Sequence, residues 1–142
     1  MQPKNNTPDI AALTAKWKPE YDKLGSIWCK ALRENVLFTQ VGWKHFRFDG
    51  NGKRRSPIVI ELRYNLIPVV PVIVKNAQKV LVNTIPTPKY GQGTYYAFYE
   101  LPFKLNSGKY VSVILRKVNS SKLHYYSLRF TSNKTKKALQ RA

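Results

Sequence analysis

Apolar residues recur at spacings of three and four over the first part of the chain and at spacings of two over its last third. The change of period divides it into a helical and a β region. Thr7-Pro8-Asp9 reads as a helix start, with a threonine N-cap, proline in the first turn and an acid facing the helix dipole. Ile10, Leu13 and Trp17 follow; Pro19 interrupts, and Tyr21, Leu24, Trp28 and Leu32 resume the stripe. This predicts one kinked helix or two abutting ones. Residues 35–48 read as a short strand or extended segment in which Trp43-Lys44-His45-Phe46-Arg47-Phe48 alternates rings with bases. The turn Asp49-Gly50-Asn51-Gly52 and the bases Lys53-Arg54-Arg55 come next. Ser56-Pro57 opens a helix with Ile58, Leu62 and Leu66 on one side, and Pro68 and Pro71 break it before a second short helix over residues 69–77.

Four strands are predicted beyond it: residues 79–84, 94–101 and the two arms of a hairpin spanning 110–131 that turns at Asn119-Ser120-Ser121. An even-length loop pairs Leu115 with Tyr126, Val113 with Leu128 and Arg116 with Tyr125. That register buries Val111, Val113, Leu115, Tyr126, Leu128 and Phe130, and leaves Ser112, Arg116, Tyr125, Ser127 and Arg129 on a wet face. Residues 85–93, rich in Pro and Gly, read as a loop presenting Lys89 and Tyr90. The expected class is α+β: N-terminal helices, then a four-stranded antiparallel meander with helices packed on one face. Residues 1–35 form a helical extension in this reading, 36–131 the principal domain and 132–142 a frayed basic tail.

Charge changes the picture more than composition does. Twenty-five Lys and Arg against seven acids leave a net +18, a self-repelling load that a polyanion would relieve. Nucleic acid is the favoured partner, through phosphate neutralisation and counterion release. The single Cys29 provides neither a disulfide framework nor a zinc cluster and reads as a small core residue. No apolar run reaches the ~20 residues of a membrane span, and the N-terminus lacks the order of a signal peptide.

The acids are scattered at Asp9, Glu20, Asp22, Glu34, Asp49, Glu61 and Glu100, which disfavours two-metal nuclease chemistry. No Walker loop, dinucleotide fingerprint or HExxH motif is present. A basic chain of this kind that cuts nucleic acid is expected to cut RNA without metal or cofactor, using the substrate's own 2′-OH. His45, among Lys44, Arg47, Arg54 and Arg55, is the leading imidazole, held neutral by its cationic neighbours. His124 reads as a rim residue. Ser127 shares the wet face with Arg116, Tyr125 and Arg129 and is placed to hold a scissile phosphate. Tyrosine rings and arginine planes are suited to stack exposed bases.

The succession WKHFRF, RRSPIVIELRYNLIPVV, KVLVN, YYAFYE, KYVSVILRKV and HYYSLRF resembles the barnase/EndoU/colicin/RelE-like (BECR) ribonuclease group, nearest to its phage-associated or toxin-type branch, over residues 36–131. The resemblance implies metal-independent cleavage leaving a 2′,3′-cyclic phosphate, with tRNA or another structured RNA as substrate. It further implies an acidic immunity protein or antitoxin as partner, and a cytoplasmic site of action, reached on occasion as a module of an exported toxin. Carried over by position, His45 would be the base or acid, Arg54 or Arg55 the phosphate cation and Ser127 the late-strand residue, with Tyr125 and Arg116 beside it. Lys44, Arg47, Lys53, Lys89, Tyr90, Arg116, Arg129 and His124 would bind RNA. The chain departs from the barnase pattern in showing no obvious glutamate base on the sheet, Glu100 being expected at a strand end. The alternatives are a non-catalytic RNA-binding protein and an adaptor for acidic ligands.

Overall fold

The computed structural model describes residues 7–86, 95–119 and 121–141; Lys89 and Tyr90 lie outside them. The first helix, α1 (Ile10–Asp22), is capped by Asp9, whose carboxylate accepts the Ala12 amide at 3.1 Å. The cap therefore sits two residues beyond the expected Thr7. Pro19 lies within α1 without ending it. The helix ends at Asp22 with Lys23 as its C-cap, and Gly25 follows in the left-handed φ of 56° that suits glycine.

The expected helical continuation through Trp28 and Leu32 is replaced by a hairpin, β1 (Ser26–Cys29) against β2 (Glu34–Leu37). Its alternation buries Cys29 and Val36 while Trp28 is 54 % exposed. The apolar residues at 24, 28 and 32 thus matched a helical period by coincidence, and the boundary drawn between residues 35 and 36 falls inside β2.

The segment read as extended up to Phe48 instead forms a short helix, α2 (Gln40–Lys44). Trp43 and Phe46, three apart, are both buried, a helical rather than an alternating arrangement. The glycine-rich turn is as expected: the Asp49 carboxylate accepts the Asn51 and Lys53 amides, and Phe48 bridges to Arg54. Ser56 caps α3 (Pro57–Tyr64), and α4 (Val69–Asn76) follows Pro68. The buried face of α3 carries Ile60 and Tyr64, whereas Ile58 and Leu62, expected inside, are 62 % and 47 % exposed.

The remaining strands are β3 (Leu81–Pro86), β4 (Tyr95–Lys104), β5 (Tyr110–Val118) and β6 (Leu123–Phe130), and a last helix, α5 (Asn133–Arg141), follows. The four antiparallel strands are extended by the N-terminal hairpin into a six-stranded sheet of order β1-β2-β6-β5-β4-β3, because β2 pairs parallel with β6. The class is α+β, but the sheet is mixed. One face carries Leu101, Val113, Leu115, Tyr125 and Leu128, all buried, and α2 and α4 contact this sheet. The Tyr21 ring packs there against Phe38, Trp43, Phe46 and Tyr125. The tail is helical rather than frayed: Ser132 Oγ accepts the Thr135 amide, and Leu139 shares a hollow with Pro102 and Tyr110 on the opposite face of the sheet.

The β5–β6 register agrees with expectation at Val113↔Leu128 and departs from it beyond Ile114, where an irregularity pairs Leu115 with Tyr125 and Arg116 with His124. Tyr126 is the extra residue of a β-bulge. Tyr125 therefore turns into the core, 1 % exposed, while Tyr126 faces out with Ser127. This exchanges the expected roles of the two tyrosines. Two smaller differences follow at the far end of the hairpin: Phe130 is 49 % exposed, and Ser112 is buried with its hydroxyl 2.8 Å from that of Thr131.

Candidate active site

Pairing between β2 and β6 ends at Leu37↔His124, so the rest of β6 has no strand on that side. Arg63, on α3, occupies the gap and donates from Nη1 to the Leu128 carbonyl. The other wall is built by the α2 C-cap and the turn after it. His45 stands at that cap, and Arg55 donates from Nε to the His45 carbonyl at 2.9 Å while its own amide bonds to the Arg47 carbonyl. Between these walls and the outer face of β4–β6 lies a cleft of about 460 Å³. His45, Arg55, Arg63, Glu100, Ser127 and Arg129 line it, with Phe98, Ile114 and Tyr126 as apolar floor and Asp49 at its mouth.

The electrostatics follow from crowded cations. Burial, then Arg55, Arg116 and Arg63, lower the His45 pKa to about 4, so the imidazole is neutral at pH 7. Burial, then Arg55, lowers that of Arg63 to about 10, and Arg55 is lowered mainly by burial. These guanidiniums stay charged although partly withdrawn from water. Two carboxylates face them. The turn amides of Lys53 and Asn51 hold Asp49 below the usual carboxylate range. Glu100 accepts from Arg129 Nη2 at 3.1 Å through Oε1, while its buried Oε2 has no hydrogen-bond partner among the described residues. Such an oxygen is an acceptor lacking a donor.

A cluster of tilted and edge-on rings borders the cleft. The Tyr126 ring lies 4.1 Å from His45 and 5.3 Å from Phe98. The Arg116 guanidinium sits 4.7 Å from the Tyr126 ring centre and 4.9 Å from that of Tyr96.

Of the residues singled out in the sequence, His45, Arg55, Ser127 and Arg129 meet in the cleft, and Arg116 adjoins it through Tyr126. Lys44 lines a neighbouring hollow that also contains His45. Arg54 is drawn off onto Phe48, and Arg47 onto Trp43 and Phe48. Lys53 is exposed in the turn, His124 pairs across from Arg116 outside the cleft lining, and Tyr125 is sealed in the core. The burial that seals it also raises its hydroxyl pKa well above the ordinary value.

Sequence reasoning missed Arg63, Tyr126 and the full position of Glu100. The strand bearing Glu100 runs on to Lys104, which places the carboxylate mid-strand rather than at an end. Its alternation with Phe98 was the signal that could have found it. Arg63 follows Leu62, whose expected burial pointed attention to the wrong side of α3.

Among the described residues no cluster of three His, Cys, Asp or Glu is arranged to hold a metal ion, and no single helix is long and apolar enough to cross a membrane. The chain matches no family model, no curated protein and no solved structure.

Proposed function

We propose that the protein is a metal-independent endoribonuclease. The observation that carries this reading is the convergence of Arg55, Arg63 and Arg129 with one imidazole and one half-satisfied carboxylate in a single cleft of a +18 protein. The arginines hold the scissile phosphate and the charge that builds on its oxygens, and Ser127 supplies a hydroxyl donor to it. The Glu100 carboxylate, in the cleft lining, accepts the proton of the ribose 2′-OH, whose oxygen attacks the adjacent phosphorus. Once the phosphate is bound, His45 takes up a proton from solvent; the P–O5′ bond breaks, and the departing 5′-oxygen takes that proton from the imidazolium, which returns to neutral imidazole. The products are a 2′,3′-cyclic phosphate and a free 5′-OH. His45 is neutral in the empty cleft, and the arriving phosphate offsets the arginine charges, raising its proton affinity when the proton is required.

In this reading the substrate is RNA rather than DNA, since only RNA brings its own nucleophile. Structured RNA, tRNA foremost, is the substrate class that the BECR resemblance favours, and an acidic protein covering the cleft is the natural inhibitor.

Incubation with total RNA in EDTA, with the cut ends mapped, tests the proposal. Cyclic phosphate ends are expected, together with a loss of about 100-fold or more in Glu100→Gln and His45→Ala, both retaining RNA binding. Intact RNA at high protein concentration would leave the second reading, a non-catalytic RNA-binding protein. The Arg116 guanidinium, near both the Tyr96 and the Tyr126 rings, favours that reading, since cation and rings together suit base binding without any chemistry.

A further inference from the structure

The far end of the β4–β5–β6 hairpins carries a second constellation outside the cleft. Two hollows of about 340 and 400 Å³ share Tyr110 as a common wall. Lys109, Lys136 and Phe130 line the first, and Lys79 and Lys104 the second. The Lys109 ammonium lies 6.0 Å from the centre of the Phe130 ring, which is 49 % exposed at a position where strand alternation leads one to expect burial. Among the described residues, no acid lines either hollow. Among the described residues, no ion pair joins a lysine of the two hollows to a carboxylate. Folding of α5 sets Lys136 beside Tyr110, and the Thr131 amide, bonded to the Tyr110 carbonyl at 3.0 Å, fixes where that helix starts.

We infer that this surface is a second, non-catalytic binding site for single-stranded RNA, engaging the strand beyond the nucleotides held in the cleft. The inference rests on the reading of RNA as substrate. Its chemistry is that of sequence-tolerant strand binding: ammonium groups track phosphates while exposed rings stack bases. The two sites are linked across the β5–β6 register. Arg129 of the cleft lining pairs across from Ser112, and Tyr110, the wall common to both hollows, lies two residues further along β5 with the same alternation, roughly 7 Å away along the strand and within reach of one RNA strand.

The test is equilibrium binding of a 20-nucleotide single-stranded RNA by fluorescence anisotropy, across a range of salt concentrations and in a His45→Ala background that prevents cleavage. The triple substitution Lys104→Gln, Lys109→Gln, Lys136→Gln is expected to weaken binding at least tenfold. It should also flatten the slope of log K against log salt by about 2, near 0.7 for each phosphate that is no longer neutralised. A dinucleotide, which fills only the cleft, keeps its affinity. The control Lys16→Gln, Lys23→Gln, Lys30→Gln removes the same charge from another part of the surface and is expected to weaken the 20-mer by less than threefold. Equal losses in the two triples, or an unchanged 20-mer affinity in the first, overturn the inference. A wild-type protein that binds the 20-mer through these lysines but never cuts RNA removes the nuclease reading and leaves this one standing.

Discussion

The His45 imidazole rests 4.1 Å from the Tyr126 ring, with the Arg116 guanidinium on that same ring at 4.7 Å. A cation and a titratable ring therefore share one aromatic neighbour, and Arg116 is one of the charges that keep His45 unprotonated. Binding of a nucleoside 3′-phosphate brings a counter-charge into that cluster. The His45 pKa, followed by NMR of its ring protons, is expected to rise from about 4 by ~1–3 pH units on saturation with the ligand. A titration midpoint that stays in place would show that the phosphate binds elsewhere.

The same depression has a consequence for stability. The folded chain resists protonating His45 until about pH 4, whereas the unfolded chain takes up that proton near the ordinary value of 6.5. The stabilisation is thus complete above pH 6.5 and is lost as pH falls from there through 4. Thermal melts of wild type and His45→Gln over this window are expected to converge toward low pH, with the wild type showing the larger fall in Tm. Parallel curves would contradict the assignment.

Tyr125 and Tyr126, neighbours in sequence, should fail in different ways. Tyr125 packs against Phe38, Tyr21 and Phe46, and Tyr125→Ala is expected to cost about 3 kcal/mol or more in denaturant unfolding. Tyr126→Ala leaves the core intact and loses affinity for RNA, since it removes the ring shared by His45, Phe98 and Arg116. If the two variants were destabilised alike, the bulge between them would be misplaced.

Gly42 supplies a sharper packing test. A methyl at this position would stand 2.6 Å from the Tyr125 carbonyl oxygen and 2.8 Å from the Tyr21 hydroxyl, which itself donates to the Thr39 carbonyl at 2.6 Å. Neither backbone nor a bonded, buried ring yields cheaply. Gly42→Ala is expected to destabilise by about 1–3 kcal/mol, measured by chemical denaturation, and to displace α2 and with it His45. Reduced RNA cleavage should accompany the loss.

Much of the local structure was legible because local signals decide it. Ser56-Pro57 starts a helix, Asp49-Gly50-Asn51-Gly52 makes a turn, and Val113 pairs with Leu128, all as the residue types dictate. Non-local choices were not legible. Nothing near Trp28 announces that its strand will join a sheet through β2 and β6, and the aromatic spacing there suited a helix equally well. One inserted residue in β6 reversed the sides of Tyr125 and Tyr126, since strand alternation carries no sign of a bulge. For the cleft, His45, Arg55, Ser127 and Arg129 could be chosen by chemistry. Arg63 and Glu100 needed the side of α3 and the true length of β4, which only tertiary packing sets.

The parallel pairing of β2 with β6 also governs timing. Val36 and Leu37 must wait for Leu123 and His124, partners from the opposite end of the domain, and contacts of such high sequence separation form slowly. The strand that completes this pairing also carries Tyr126, Ser127 and Arg129. During synthesis the earlier strands can assemble, but the cleft lacks Tyr126, Ser127 and its third arginine until β6 emerges. A growing chain, surrounded by ribosomal, transfer and messenger RNA, thereby presents an incomplete site until its sheet closes.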